Sequence, residues 1–264
     1  MKRLVLVGAL VCALVACGDD GTEGDVSGSD ASTSAPEDGV QGEGVEGTFT
    51  FLIGDWLTGN PIEGVTLCST VEGSECLTTD ADGMASTVAT ITSGEVLQLR
   101  ADKEGYFPFL AENVVPEEIV FSEEPVTWVM ADDAIVEQLV SSLESEVDDT
   151  KGHVSVAVNT LDAEGVATAL VGATVTLDLD VELGPNYLNP TEEFGSGIYA
   201  EEPGLTSGGI AQFFNVATGL ATVHVEGDYT CAPTLSGLPA ADGGVSITVE
   251  AGRVSYVGIL CSAN

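Results

Sequence analysis

The residues that could carry catalytic chemistry are few and lie far apart in the chain. There are only two histidines, His153 and His224, and neither belongs to an H-E-x-x-H zinc pair. The sequence contains no G-x-S-x-G nucleophile elbow and no phosphate-binding P-loop. His224 and Glu226 would share one face of a strand, an arrangement that suits two metal ligands but is far commoner on an exposed strand face. We therefore predict that the protein is not an enzyme and uses no cofactor.

Three acids close together offer a second kind of chemistry. Asp178, Asp180 and Glu182 alternate with apolar residues, which is the pattern of an amphipathic strand with its acids on one face. Three like charges on one face repel each other, and Ca²⁺, a cation that prefers oxygen ligands, would relieve that repulsion. The sequence thus leaves a calcium site open beside the plain amphipathic strand.

The overall charge excludes one class of partner. The chain has 43 Asp and Glu against 6 Lys and Arg, for a formal net charge of -37. A protein that follows nucleic-acid phosphates needs clustered Lys and Arg, so we expect no nucleic-acid partner. Hydrophobic residues make up 44 % of the chain, enough for a sizeable core. The acids are spread over every segment and do not mark one site.

The N-terminus predicts where the protein is found. Lys2 and Arg3 precede an apolar run, Leu4–Val15, which is too short to span a bilayer and is typical of a secretory signal. The following residues, Leu14-Val15-Ala16-Cys17, resemble the lipobox of bacterial lipoproteins. That resemblance implies cleavage after residue 16, lipid on Cys17, and a protein held in the bacterial cell envelope by its acyl chains. Gly18 after the lipidated Cys favours the outer membrane, with the protein either periplasmic or surface-exposed.

Residues 17–47 are predicted to form a disordered tether. Nine acids and no Lys or Arg lie between Gly18 and Gly47, among Gly, Ser and Thr. Such a segment buries too little apolar surface to offset the entropy of ordering, and its like charges extend it. We expect it to hold the folded part away from the membrane.

From residue 48 to 130 the sequence predicts short strands separated by turn residues. The seven candidates are Thr48–Ile53, Val65–Ser69, Glu75–Thr79, Ala85–Thr90, Val96–Ala101, Glu118–Phe121 and Val126–Met130. Short strands at this spacing favour an antiparallel β-sandwich.

The turns between these strands resemble those of a known family. In order they are Thr58–Leu67 (TGNPIEGVTL), Thr79–Gly83 (TDADG) and Ala101–Tyr106 (ADKEGY). They are similar to the carboxypeptidase regulatory-like domain, and the resemblance covers Gly47 to about Met130. It implies a transthyretin-like or prealbumin-like β-sandwich without catalytic activity. An immunoglobulin-like or fibronectin-type sandwich is the competing fold.

Residues 150–264 repeat this plan with more divergence, and residues 131–149 join the two units. Val171–Leu177 matches Glu63–Leu67, and a strand opens at Gly152. In the connection, apolar residues recur at helical spacing after Asp132 and Asp133, either of which can cap a helix. We thus expect an all-β protein of two antiparallel sandwich domains, 48–130 and 150–264, linked by a short helix docked on a sandwich.

The cysteines outside the N-terminus predict disulfides. Removing Cys12 with the signal and Cys17 with the lipid leaves Cys68, Cys76, Cys231 and Cys261. Four cysteines in an oxidising compartment allow three pairings, and we favour Cys68–Cys76 and Cys231–Cys261, one bond within each unit. A related sandwich family forms Lys–Asn isopeptide crosslinks, but although Lys151 starts a strand, no Asn lies inside the last one.

The ligand remains open at the level of sequence. Loops of a sandwich supply binding surfaces, and Trp56, Tyr187 and Tyr199 are candidate stacking residues for a carbohydrate. Each of the three is also a natural core residue. The alternative is an envelope protein partner, recognised through the linker helix or through a free sheet edge.

Overall fold

The computed structural model describes residues 44–70, 75–117, 124–163, 165–189, 198–200, 203–234 and 236–264. The predicted signal peptide, Cys17 and residues 18–43 of the tether lie outside the described residues, as does the predicted strand Glu118–Phe121.

Within the described ranges the protein is all-β, as the sequence predicts. In chain order the elements are β1 (Val45–Asp55), β2 (Thr66–Ser69), β3 (Leu77–Thr78), β4 (Met84–Ile91), β5 (Val96–Lys103), β6 (Tyr106–Val114), β7 (Val126–Met130), α1 (Asp133–Ser141), β8 (Gly152–Leu161), β9 (Ala167–Ala169), β10 (Thr174–Leu177), β11 (Val181–Tyr187), β12 (Ile210–Val216), β13 (Gly219–Glu226), β14 (Tyr229–Pro233), β15 (Leu238–Pro239), β16 (Val245–Val249) and β17 (Val254–Ala263).

Two small sheets pack on one large sheet that runs through both halves of the chain. The small sheets have the orders β4-β1-β7 and β10-β13-β16-β15. The large sheet has the order β11-β12-β8-β17-β6-β5-β2-β3, with β14 also pairing with β17 and β9 with β8. Three pairs are parallel, β1 with β7, β17 with β8 and β17 with β6, where the sequence predicted antiparallel neighbours throughout.

The turn motifs of the first half work through specific hydrogen bonds. The Thr79 hydroxyl donates to the Ile62 carbonyl and accepts from the Val65 N–H. Asp80 Oδ1 accepts from the N–H groups of Asp82 and Met84. Gly83 has φ +72°, and a Cβ there would lie 2.6 Å from the Ile53 carbonyl oxygen. Only glycine fits this turn, which brings β1 and β4 together.

Each half has its own core, and both cores include the last strand. The first core contains Ile53, Phe109, Trp128 and Met130, with Val254 and Tyr256 of β17 packed against it. The second core contains Val257, Ile259 and Cys261 of the same strand. The Tyr256 ring lies 5.4 Å from that of Phe109 and 6.0 Å from that of Trp128, and its hydroxyl donates to the Val129 carbonyl. Because β17 completes both cores, neither half is closed without it.

The linker contains a short helix docked on a sandwich, as predicted. The Asp132 carboxylate caps α1 by accepting from the Ala134 N–H at 2.8 Å. Val136, Leu139 and Val140 are buried, so the helix docks on the sandwich with its apolar face inward. It ends at Ser141 and the chain turns at Glu144, which has φ +59°.

Two local expectations were wrong. Strand β6 was missed, because Pro108, Glu112 and Asn113 interrupt its apolar pattern. The alternating stretch Leu177–Glu182 is not one strand, since β10 ends at Leu177 and β11 begins at Val181. Between them the chain leaves the sheet of β13 and enters the large sheet.

Tyr256 tests whether the last strand stabilises the first half. We expect Tyr256→Ala to lower the free energy of unfolding by about 3 kcal/mol, because it leaves a void between Phe109 and Trp128. Tyr256→Phe, which loses only the hydrogen bond to Val129, should cost about 1 kcal/mol. Urea unfolding followed by tryptophan fluorescence measures both, since Trp56 and Trp128 lie in the first half. An unchanged fluorescence midpoint for Tyr256→Ala would show that the first half folds without β17.

Candidate functional site

The three candidate stacking residues do not form one surface. Tyr187 is 4 % exposed in the second core, and its hydroxyl accepts from the Val175 N–H. Trp56 and Tyr199 are half-buried against a third apolar cluster that contains Leu139 and Phe214. The Tyr199 hydroxyl donates to Gln212 Oε1 at 2.8 Å, and burial raises the pKa of this hydroxyl. The ring of Tyr187 is therefore unavailable to a sugar, and only Trp56 and Tyr199 pack against the same apolar cluster.

The three acids of the possible calcium site are separated by the turn between β10 and β11. Asp178 accepts a hydrogen bond from the Thr222 N–H, and Glu182 accepts from Lys151 and Ser145. No group of three His, Cys, Asp or Glu in the described part of the chain could hold a metal ion. The three acids do not line one strand face as expected, because β10 ends at Leu177 and β11 begins at Val181, and a calcium site among them stays a prediction.

The two histidines occupy different environments. His224 is partly exposed, and its Nε2 lies 3.6 Å from Asp242 Oδ2, while Glu226 at the end of β13 is exposed. His153 is 1 % exposed, and its Nδ1 accepts from the Asn215 N–H at 3.2 Å. The neutral ring of His153 therefore carries its proton on Nε2, which has no hydrogen-bond partner among the described atoms. Neither histidine is aligned with a nucleophile in the hydrogen bonds of the described residues.

The disulfides pair as predicted, one within each half. Cys68 of β2 is bonded to Cys76, which lies just before β3. Cys231 of β14 lies directly opposite Cys261 of β17 and is bonded to it. The second bond ties the strand that both cores share to its neighbour.

Sequence reasoning missed a polar clamp around Asn215. This residue lies at a bulge of β12, is 1 % exposed and has φ +52°. Its Oδ1 accepts from the Asp148 N–H at 3.0 Å, and its Nδ2 donates to the Glu146 carbonyl at 2.9 Å. The side chain thus holds the segment after α1 on the large sheet. An isolated Asn in a strand of the sequence carries no signal of this role.

Lys151 belongs to the same clamp. Glu182 Oε2 accepts from Lys151 Nζ at 3.2 Å and from Asn215 Nδ2 at 3.3 Å. The hydrogen bond from Lys151 lowers the pKa of Glu182, so this carboxyl is ionised near neutral pH. The Asn near Lys151 is Asn215, which lies on β12 and not on the last strand. Lys151 forms an ion pair with Glu182, and Asn215 donates a hydrogen bond to the same carboxylate.

A small cavity lies beside His153, under α1. Its volume is about 40 Å³, and it is lined by residues of α1, β8, β12 and β17 together with Trp56. Most of the lining is apolar, including Val136, Leu139 and Phe214. A space of this size admits one or two water molecules and excludes a sugar.

The two halves are joined by a buried carboxylate. Glu112 of β6 is 3 % exposed, and its Oε2 accepts from Gln98 Nε2 at 3.0 Å and from the Thr248 hydroxyl at 3.1 Å. Its Oε1 accepts from the Thr248 N–H. Its backbone N–H donates to the Ser236 hydroxyl at 3.0 Å. Glu112 is thus a residue of the first half whose bonds are largely satisfied by the second.

Two arginines reinforce this junction from opposite directions. Arg100 of the first half pairs with Glu250 of the second, and Arg253 of the second half pairs with Asp102 of the first at 2.7 Å. Arg253 also lies 3.4 Å from Glu250. The hydrogen bond from Arg100 lowers the pKa of Glu250 and raises that of Arg100. These polar groups fix one half on the other.

Comparisons with known proteins assign no family. No protein-family description matches the chain, and no curated protein sequence is similar to it. Among solved structures, the minor pilin GBS52 of Streptococcus agalactiae is 12 % identical with a TM-score of 0.28, covering 82 % of this chain and 96 % of that one. The major pilin BcpA of Bacillus cereus is 9 % identical with a TM-score of 0.26, covering 83 % and 100 %. The Bacillus anthracis TIE protein is 12 % identical with a TM-score of 0.25, covering 82 % of this chain and 34 % of that one. These low scores carry no inference about activity or partners.

His153 predicts a loss of stability in acid. Burial lowers the pKa of His153 to about 4, below its ordinary value of 6.5. The neutral side chain therefore stabilises the fold fully above pH 6.5, and this contribution is lost as the pH falls toward 4, by about 3 kcal/mol in all. Urea unfolding at several pH values should show a shallower decline between pH 6.5 and 4.5 for His153→Gln, whose side chain does not titrate. The exposed His224→Gln serves as control and should keep the full decline; equal slopes for both variants would contradict the assignment.

The hydrogen bonds of Glu112 predict that its carboxylate stabilises the junction between the two halves. We expect Glu112→Gln to lower the free energy of unfolding by about 2 kcal/mol, since the amide nitrogen would face donors that now meet a carboxylate oxygen. Glu137→Gln, on the exposed side of α1, removes the same charge without such contacts and should change stability by less than about 0.5 kcal/mol. Thermal unfolding of the two variants measures the difference, and equal midpoints would rule out a structural role for the carboxylate.

Proposed function

We propose that the protein is a non-enzymatic, lipid-anchored structural module of a bacterial cell envelope. Lipid on Cys17 would hold it to the membrane, and the acidic segment before β1 would act as a spacer. The observation that carries the proposal is the shared strand β17, which makes one continuous body of the two halves. A force applied to one half of such a body is passed on to the other half, whereas two domains joined only by a flexible linker would move independently.

The use of polar groups supports a structural role. The notable buried or paired polar side chains, Glu112, Asn215, Arg100 and Arg253, are bonded to other parts of the chain. Enzymes need reactive groups held near a cavity that can admit a substrate. Here the cavity beside His153 has a volume of only about 40 Å³. A larger open cleft of about 460 Å³ beside Asp102, Lys103 and Glu104 has no histidine, cysteine or serine in its lining.

The finer parts of the proposal concern the family and the ligand. The turns that resemble the carboxypeptidase regulatory-like domain lie in the first half. There the side chains of Thr79 and Asp80 accept hydrogen bonds from backbone N–H groups, and Gly83 has a positive φ. A glycan, if bound, would have to use Trp56 and Tyr199, since Tyr187 is buried. No helix in the described residues is long and apolar enough to cross a membrane, and anchoring is proposed through the lipid alone.

A protein partner is the second candidate function. The apolar face of α1 is buried, and Leu139 is 3 % exposed, so Leu139→Asp would damage the fold before it reported on a partner. A partner could use only the polar side of this helix. A free sheet edge is therefore the better contact for a partner, and β4 offers one.

Mass spectrometry of the protein from its own membrane tests the anchoring. We expect the mature chain to begin at Cys17, with a diacylglyceryl group on the sulfur and an acyl group on the amino terminus. Cys17→Ser should release the protein from the membrane fraction, and Cys12→Ser, which changes a residue of the predicted signal, should leave the mature product unchanged. An unmodified Cys17 in the mature protein would overturn the proposal.

A further inference from the structure

The edges of the sheets differ in how well they are protected. An edge strand presents unpaired N–H and C=O groups to other chains, and proteins blunt such edges with short strands, proline, charge or covering segments. Strands β3, β9 and β15 have only two or three residues. Strand β14 contains Pro233, and β11 contains Pro185 and is bonded to Ala200. On β10 the Val175 N–H is taken by the Tyr187 hydroxyl.

Among the described edge strands, β4 has the least protection, and only its first residue is engaged, because Asp80 bonds the Met84 N–H and C=O. It is eight residues long, Met84–Ile91, with the sequence MASTVATI and no Pro, Gly or charged residue. It pairs with β1 along its whole length and is the terminal strand of its sheet. Ser86, Val88 and Thr90 are exposed on one face, and Val88 is 62 % exposed.

The other terminal strand of this sheet, β7, is also uncharged, but it has five residues, and its Val129 and Met130 carbonyls accept from the Tyr256 hydroxyl and the Trp56 N–H. Among the described strands, β4 is the longest uncharged edge in a chain of net charge -37.

We propose that β4 is a self-association edge, at which two copies of this protein pair β4 to β4 in antiparallel orientation. Two copies of so acidic a chain repel each other wherever their carboxylates meet, and like charges directly opposite destabilise a strand pair. Along β4 no carboxylate of one copy faces the other. The pairing joins two sheets of order β4-β1-β7 into one sheet of six strands and covers the β4 edge of each copy.

The symmetry of such a pair places Val88 near its centre. An antiparallel pair of identical strands has a two-fold axis perpendicular to the sheet, so each residue pairs with one of the same face. With all of β4 engaged, the axis passes through Thr87 or Val88. The two Val88 side chains are then directly opposite or diagonal, about 5 to 8 Å apart.

The pairing is compatible with the proposed anchor, although it does not depend on it. Val45 pairs with Ile91, so the two N-terminal segments leave the dimer at opposite ends of an eight-residue strand, about 25 Å apart. Residues 18–44 span up to about 90 Å when extended, so both segments can reach the same membrane. Anchoring on one membrane would also raise the effective concentration of the edge.

Analytical ultracentrifugation of the chain carrying Cys17→Ser, and therefore without lipid, tests the proposal. We expect a monomer–dimer equilibrium whose dissociation constant falls by about tenfold when NaCl rises from 50 mM to 1 M, because salt screens the repulsion between acidic copies. An association that depended on opposite charges would weaken as the salt concentration rises. The sign of the salt dependence of the dissociation constant therefore identifies the kind of contact. Because this variant carries no lipid, its dimerisation tests only the pairing of β4. A failure here leaves the anchoring proposal standing, and a failure of the anchoring test leaves the pairing of β4 standing.

Matched variants locate the interface. Val88→Glu places two carboxylates near the axis and should raise the dissociation constant by about tenfold or more. Leu220→Glu is the control, since Leu220 is 67 % exposed but lies on β13, where it pairs with Thr248 of β16 and is remote in sequence from β4. It should leave dimerisation within about twofold. Val88→Cys should form an interchain disulfide under mild oxidation, and Leu220→Cys should not, which keeps the test valid if Val88→Glu fails to fold.

Several results would overturn the proposal. One is the mass of a single chain at every concentration up to about 1 mM and at every salt concentration. Another is equal loss of dimer in Val88→Glu and Leu220→Glu. Dimerisation that appears only when residues 18–43 are deleted would show that the chain's own N-terminal segment occupies the edge.

Discussion

The architecture depends on one strand that two cores need. Val254 and Tyr256 of β17 fill the first core, and Val257, Ile259 and Cys261 fill the second. Along the same strand, β6 and β8 supply parallel neighbours, and β14 adds an antiparallel one that is tied by the Cys231–Cys261 bond. Because the last residues of the chain complete a core built from the first, the two halves are coupled through the interior. A linker alone would leave them free to move.

The charge of the protein makes this coupling electrostatically demanding. The chain has 43 acidic residues against 6 basic ones, so few positive side chains are available to pair with carboxylates. Two of them, Arg100 and Arg253, lie at the junction and pair across it in opposite directions, and Lys151 pairs with Glu182 in the clamp. Each of these partly exposed pairs contributes little alone. Their placement lowers the repulsion where two acidic halves must touch, while the carboxylate of Glu112 is satisfied by neutral donors.

The parts of the site that could be predicted are those with local signals. Cysteine spacing predicted both disulfides, and the TDADG and ADKEGY segments predicted turns that the hydrogen bonds of Asp80 and the positive φ of Gly105 explain. The acids at 178–182 were misplaced, because alternation alone does not distinguish one strand from a strand, a turn and the start of another. Tyr187 and Tyr199 have the same residue type, and only the packing separates a buried ring from a half-exposed one. The clamp at Asn215 has no local pattern at all.

The sequence by itself determined the composition, the leader pattern before Cys17, the all-β character and the turn chemistry, since each of these rests on neighbours along the chain. The tertiary structure decided which strands are shared, which polar residues are buried and which edge is left open. Those outcomes depend on contacts between residues far apart in the chain, such as Glu112 with Thr248 and Tyr256 with Val129. Strand periodicity specifies which face of a strand is apolar, but many partner strands satisfy the same face. Only the folded chain selects among them, because both cores must be filled at once.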